Sequence, residues 1–124
     1  MKIRIKGNSI RLRLTKSEVD TFGQNGYVEE KTEFGNNLFI YALRTNPDVS
    51  ELTASFVGLK ITMHVPPAIA NEWTTTDQVG YSNTVTFENG KQLFLLLEKD
   101  FKCIDAPAYE DQSDNYEHPN LSCE

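Results

Sequence analysis

Apolar and polar residues alternate without a break from Lys2 to Leu14, on both sides of a Gly7-Asn8 pair. Period-two alternation flanking a two-residue turn signal predicts a β-hairpin. Its register is self-consistent: Lys6 faces Ser9, Ile5 faces Ile10, Arg4 faces Arg11, Ile3 faces Leu12 and Lys2 faces Arg13. Ile3, Ile5, Ile10 and Leu12 then share one face, and Lys2, Arg4, Lys6, Arg11 and Arg13 share the other. A slip of one residue would scramble both faces.

Thr15-Lys16-Ser17-Glu18 has the spacing of a capping box, so a helix of about two turns is expected, with Val19 and Phe22 on its apolar side and Gly23 and Gly26 as its stop. Tyr27–Phe34 reads as a strand, Gly35-Asn36-Asn37 as a turn and Leu38–Leu43 as a largely buried strand. Asn46-Pro47-Asp48 reads as a loop. The order then recurs. Leu52–Val57 and Lys60–Val65 form strands around Gly58, and Pro66-Pro67 opens a second short helix carrying Ile69 and Trp73. Val79–Phe87 and Leu93–Leu97 form the last strands, around Glu88-Asn89-Gly90.

At an offset of 51, Gly7 meets Gly58, Ile10 meets Ile61, Leu12 meets Met63, Leu14 meets Val65, Phe22 meets Trp73 and Val28 meets Val79. A four-residue insertion brings Leu38-Phe39-Ile40 onto Leu93-Phe94-Leu95. These matches predict two tandem ββαββ units, at about 2–45 and 52–99, neither able to bury its sheet face alone. The expected fold is mainly β with two short helices (α+β), a pseudo-dimeric β-barrel closed within one chain. Residues 1–103 would form that single domain and 104–124 an acidic tail, docked or disordered.

The 124 residues carry a net charge of −6, but its distribution is uneven. All 12 Lys and Arg and 12 of the 18 acids lie in residues 1–103, while residues 1–16 hold six cations and no acid. Asp105, Glu110, Asp111, Asp114, Glu117 and Glu124 fall in the last 21 residues, which have no Lys or Arg. Overall acidity argues against indiscriminate nucleic-acid binding and leaves room for a local basic site. No apolar run approaches the roughly 20 residues that span a bilayer, and the N-terminus has no signal-peptide core. The expectation is a cytoplasmic monomer with reduced thiols and no membrane contact.

Gly7-Asn8-Ser9, followed by Arg13 and a short helix, resembles the AbrB/MazE-type swapped-hairpin barrel family. The resemblance covers about residues 2–45 in sequence and 54–99 in architecture only. It implies a ββαββ unit paired with a second copy, DNA bound on the basic face of the first hairpin, and DNA contacts at Arg4, Asn8, Ser9 and Arg13. The second unit departs from that pattern: Leu59, Lys60 and His64 replace Asn8, Ser9 and Arg13, and its first strand has no basic residue. A symmetric reader of palindromes needs two equivalent half-sites; this chain offers one. The whole chain also resembles a group of uncharacterised bacterial proteins with a similar hairpin and an EKDFxC segment, here Glu98 to Cys103, before an acidic tail.

The basic ribbon is the main candidate site: Lys2, Arg4, Lys6, Asn8, Ser9, Arg11 and Arg13. Like charges facing each other across a strand pair repel, and a nearby anion relieves them; phosphate suits the planar donor fork of Arg. The bland alternative is a solvated edge strand whose charges block aggregation. A third is internal: the tail, six charges against six, lying across the ribbon. The tail's spaced Ile104, Tyr109, Tyr116 and Leu121 also suit a docked segment or a recognition peptide for another protein.

Cys103, His118 and Cys123 offer three soft ligands for zinc, without the paired spacing that marks a zinc site. Catalysis has little support. His64 lies on the outward phase of a strand with no nucleophile signature around it, and no phosphate loop or dinucleotide fingerprint is present. Asp77 and Tyr81, or Asp20 and Tyr27, are the candidate pocket residues. The expected function is therefore a non-enzymatic module that binds nucleic acid or an acidic partner through the hairpin, masked by its own tail. The alternatives are a small-molecule or metal-binding barrel of unknown, even enzymatic, role, and a protein-interaction module acting through the tail.

Overall fold

The computed structural model describes residues 1–101 and 113–116. The strands are β1 (Lys2–Lys6), β2 (Ser9–Leu14), β3 (Tyr27–Phe34), β4 (Asn37–Thr45), β5 (Thr53–Val57), β6 (Lys60–Val65), β7 (Gly80–Thr86) and β8 (Gln92–Lys99). The helices are α1 (Lys16–Asn25) and α2 (Pro67–Thr75). The strands form two four-stranded sheets, in the orders β1-β2-β8-β7 and β3-β4-β6-β5. Each sheet thus takes one hairpin from each half of the chain, joined by a parallel pair: β2 with β8, and β4 with β6. The protein is mainly β with two helices. The expected closure into one barrel is not present: among the described residues no strand pairing links the two sheets, which end at β1, β7, β3 and β5.

The first hairpin has the register expected from its alternation, Lys2 with Arg13 through Lys6 with Ser9. Gly7 turns it with φ 54°, and Gly58 turns the β5–β6 hairpin with φ 63°. A left-handed conformation of this kind favours glycine. The inner faces of the sheets meet over Leu12, Leu14, Leu95 and Leu97 from one side and Leu43, Met63 and Val65 from the other, all fully buried. Ile5, next to the hairpin tip, is on the expected face yet 55% exposed.

The helices plug the sandwich. Phe22 and Trp73, at matching positions, meet edge to face with ring centroids 6.2 Å apart. Gly23 does not stop α1, as expected from sequence; it lies inside the helix, where a Cβ would come within 3.2 Å of Thr74. The helix runs on to Asn25 and ends at Gly26, φ 69°.

The two halves repeat their hydrogen bonds as well as their order. Phe94 N–H donates to Asn8 C=O (3.0 Å) and Ile40 N–H to Leu59 C=O (2.9 Å); Asp100 N–H donates to Leu14 C=O (2.8 Å) and Asn46 N–H to Val65 C=O (2.9 Å). These pairs equate Ile40 with Phe94, not with Leu95, so the insertion before the last strand is one residue shorter than the apolar pattern suggested. The strand registers likewise equate Val28 with Tyr81 rather than Val79, since each faces the matching leucine, Leu43 or Leu97.

Candidate functional site: a cationic strand pair

Alternation puts Lys2, Arg4 and Lys6 of β1 and Arg11 and Arg13 of β2 on the outer face of the first sheet, because Ile3, Ile10, Leu12 and Leu14 are held by the core. Arg4 faces Arg11, and Lys2 faces Arg13. The strand beyond β2 supplies what relieves them. Glu98 of β8 pairs in register with Arg13, accepts a hydrogen bond from Arg11 Nε at 2.6 Å, and lies 3.8 Å from Arg13 Nε. Asp100, just past β8 and 2% exposed, takes Lys2 Nζ at 3.1 Å on an oxygen that otherwise has no hydrogen-bond partner. Among the described residues, five cations share this face with these two acids.

Toward the hairpin tip the face becomes a groove of about 260 Å³, lined by Arg4, Lys6, Ser9, Arg11, Phe94 and Leu96. Phe94 stands in register with Ser9 and is 42% exposed. A second hollow of about 150 Å³ lies along Lys2, Arg4, Arg11 and Arg13. Asn8 occupies the turn, and Ser9, the first residue of β2, lines the groove. The Asn8 side-chain amide donates to Gln92 C=O, and Ser9 Oγ donates to Lys6 C=O at 2.6 Å. Both side chains have local work: Asn8 ties the turn to β8, and Ser9 closes the turn onto β1.

Sequence reasoning missed Glu98, Asp100 and Phe94 as parts of this face. The β2–β8 pairing that delivers them joins residues about 85 positions apart, and no local pattern encodes it.

The described part of the C-terminal segment docks elsewhere. Ser17 N–H donates to Asp114 Oδ1 (3.2 Å), Ser17 Oγ also donates to that carboxylate, and Lys16 N–H donates to Asp114 C=O (2.9 Å). An anion at a helix N-terminus satisfies otherwise orphaned N–H groups. These bonds, the one from the Ser17 hydroxyl foremost, hold the Asp114 carboxyl below the ordinary aspartate range. Tyr116 N–H donates to Asp100 C=O at 2.7 Å, and its ring lies under Lys16 and Lys99, with Nζ 5.9 Å and 5.5 Å from the centroid. Glu18 completes the helix start, accepting from Thr15 N–H (2.9 Å) and from the N-terminal ammonium. Burial raises its pKa, but those bonds outweigh burial and the net direction is down.

A Ser-His-Asn cluster occupies the outer face of the second sheet. His64 Nε2 lies 3.0 Å from Ser55 Oγ and Nδ1 lies 3.2 Å from Asn46 Nδ2. Asp48 N–H donates to Asn46 Oδ1 at 2.9 Å, which turns the Asn46 NH2 toward the ring. Nδ1 therefore accepts, the ring proton sits on Nε2, and Nε2 donates to Ser55. A general base for the serine needs a bare Nε2, so the cluster is built as a strand-to-loop tie. Burial, with Arg44 nearby, lowers the His64 pKa.

Asp20 and Asp77 line one shared pocket of about 560 Å³ between the helices, beside Tyr116 and Lys99. Lys99, 7% exposed, donates from Nζ to Thr76 C=O at 2.7 Å; burial lowers its pKa, partly offset by Asp77. Tyr81 and Tyr27 lie apart from that pocket. Tyr81 donates to Glu72, and burial together with this bond pushes its pKa up to about 12. Tyr27 lines a separate hollow with Glu18 and Glu29. Cys103, His118 and Cys123, the zinc candidates, lie outside the described residues; no cluster with metal-ligand character occurs among the described ones.

The family model of DUF7009, a family of unknown function, matches residues 1–120. The chain belongs to DUF7009. Its match spans both halves and both sheets, so the β1–β2 and β5–β6 hairpins fall within a single family unit. No curated protein and no solved structure is matched. No helix among the described residues is long and apolar enough to cross a membrane.

Proposed function

We propose that the protein is a non-enzymatic binding module whose β1–β2 face takes a polyanion, with nucleic acid as the first candidate. The observation that carries this reading is the gathering of Lys2, Arg4, Lys6, Arg11 and Arg13 on one face of a register-locked hairpin. Asp100 and Glu98, from β8 and its continuation, orient Lys2, Arg11 and Arg13. The exchange of hairpins between the halves supports kinship with the AbrB/MazE-type barrels, a pseudo-dimer made by one chain and needing no second copy. The second hairpin, with Lys60 as its one Lys or Arg, argues for one binding face rather than a palindrome reader. The acids outside the described residues act in this proposal as an internal competitor for the face.

An electrophoretic shift with mixed DNA and RNA at two salt concentrations tests the reading. Each phosphate contact steepens the salt dependence. Binding by the full chain, strengthened when Asp105, Glu110, Asp111, Glu117 and Glu124 are changed to their amides, supports both ribbon and competitor. Asp114 is left in place because it caps α1. Arg4→Ala with Arg13→Ala abolishes the shift while the protein stays folded; an unchanged shift excludes the ribbon.

A second reading rests on the pocket beside buried Lys99, where Asp20, Asp77 and Tyr116 offer a mixed polar lining for a small molecule. A zinc assay in which stoichiometric metal disappears in Cys103→Ser supports a metal-binding role instead.

A further inference from the structure

We infer that the groove at the hairpin tip binds single-stranded nucleic acid in particular, with a base stacked on Phe94 and flanking phosphates held by Arg4, Lys6 and Arg11. The inference rests on the polyanion reading above and narrows it to one ligand class. Its starting point is Phe94. On the outer face of β8 a phenylalanine 42% open to water gains little from packing. It stands among cations: Lys6 and Arg4 on one strand, Arg11 on the next, with Leu96 and Ser9 completing the groove.

An aromatic ring beside a basic track is the pairing that single strands require. Unstacked bases offer π-faces to the ring, while the backbone runs along the cations. A duplex keeps its base faces stacked inside and presents phosphate alone, leaving Phe94 without a partner. An acidic peptide offers carboxylates to the cations and needs no ring. The neighbouring polar side chains favour sequence tolerance as well. Ser9 Oγ is committed to Lys6 C=O and the Asn8 amide N–H to Gln92 C=O, so neither donor is turned outward to read base edges. At the matching place in the other sheet stands Ile40, with Thr62 and Val57 where Arg11 and Lys6 would be. The other sheet keeps cations at this place, Lys60 and Lys31 in register with Ile40, but its ring beside Lys60 is Tyr27 and no aromatic residue stands where Phe94 does.

Fluorescence anisotropy on the full chain, and on the chain with the five tail acids neutralised, decides the matter. The probes are a labelled oligothymidine, its duplex with oligoadenine, and a polyglutamate peptide of similar charge. The inference predicts tightest binding to oligothymidine, a loss of about 5- to 150-fold in Phe94→Ala, and retention in Phe94→Trp. Circular dichroism and a denaturation midpoint confirm that both variants fold. Equal or tighter duplex binding, with Phe94→Ala silent, overturns the inference; if Arg4→Ala still weakens that binding, the polyanion reading survives. Preference for polyglutamate overturns the nucleic-acid assignment. Failure of all three probes on both forms of the protein overturns the inference and the polyanion reading together.

Discussion

The two first hairpins of the halves have the same backbone and opposite outer surfaces. Lys2, Arg4, Lys6, Arg11 and Arg13 on β1–β2 correspond to Thr53, Ser55, Val57, Thr62 and His64 on β5–β6, strand for strand and register for register. The strand that joins each pair in parallel changes sign with it. Glu98 sits beside the arginines of the first sheet, whereas Arg44 stands in register with His64 in the second. The inner faces, by contrast, are alike, with Leu12 and Leu14 matching Met63 and Val65 in full burial. Core packing constrains the inner residues of both hairpins equally. The outer residues are free of that constraint, and only the first hairpin gathers five cations there.

The largest expected effect strikes what the halves share. Phe22 and Trp73 interlock on each other under both sheets, so Trp73→Ala should destabilise the protein by about 3–5 kcal/mol, and Phe22→Ala by a similar amount. Chemical denaturation measures both. A cost for Trp73→Ala no greater than that of truncating exposed Phe94 would mean that the helices do not close the core jointly.

A smaller effect separates the halves. Helix α1 begins with Thr15, Glu18 and the distant Asp114, whereas α2 begins with Pro66 and Pro67 and has no acid in its first turn. Asp114→Ala should cost about 1 kcal/mol as a lost helix cap. The lowered pKas of Asp114 and Glu18 make their contributions fully present at neutral pH and lost as the solution is acidified through their folded values. A urea midpoint unmoved by Asp114→Ala would show that the docked segment contributes nothing.

The smallest effect belongs to His64. Its folded pKa is lowered, so the unfolded chain takes up the proton first as pH falls below about 6.5. The contribution of this residue is whole above that value and shrinks below it. His64→Gln should therefore lose less stability than wild type between pH 7.5 and 5.5, followed by the urea midpoint. Equal losses would show that protonation of His64 is not resisted by the fold.

How much of this was legible beforehand follows physical range. The Gly7 and Gly58 turns, the Thr15–Glu18 helix start and the Lys60–Val65 strand are local, and their patterns carried them. The face shared by five cations followed from alternation alone. What joins β2 to β8 and β4 to β6 is long-range burial, and apolar strands look alike at that level, which is why the last strand was matched one residue out of place. For the same reason Glu98, Asp100 and Phe94 were read as parts of a strand end and a motif rather than as neighbours of Arg4 and Arg11. The Ser55–His64–Asn46 tie depends on adjacent strands and a loop reversal; its members are unremarkable singly. Gly23 was misread because glycine serves both to stop a helix and to let two helices approach.

The most direct test gives the first hairpin the outer residues of the second. In Arg4→Ser with Lys6→Val, β1 carries at those two positions what β5 carries as Ser55 and Val57, and the inner face is untouched. The measurement is the salt dependence of oligothymidine binding for this variant and for wild type, by anisotropy, on chains with the tail acids neutralised. The account predicts weaker binding and a slope shallower by about 1.4, near 0.7 for each cation removed from a single-strand contact. An unchanged slope and affinity would contradict it, and would leave the basic face a solvated edge.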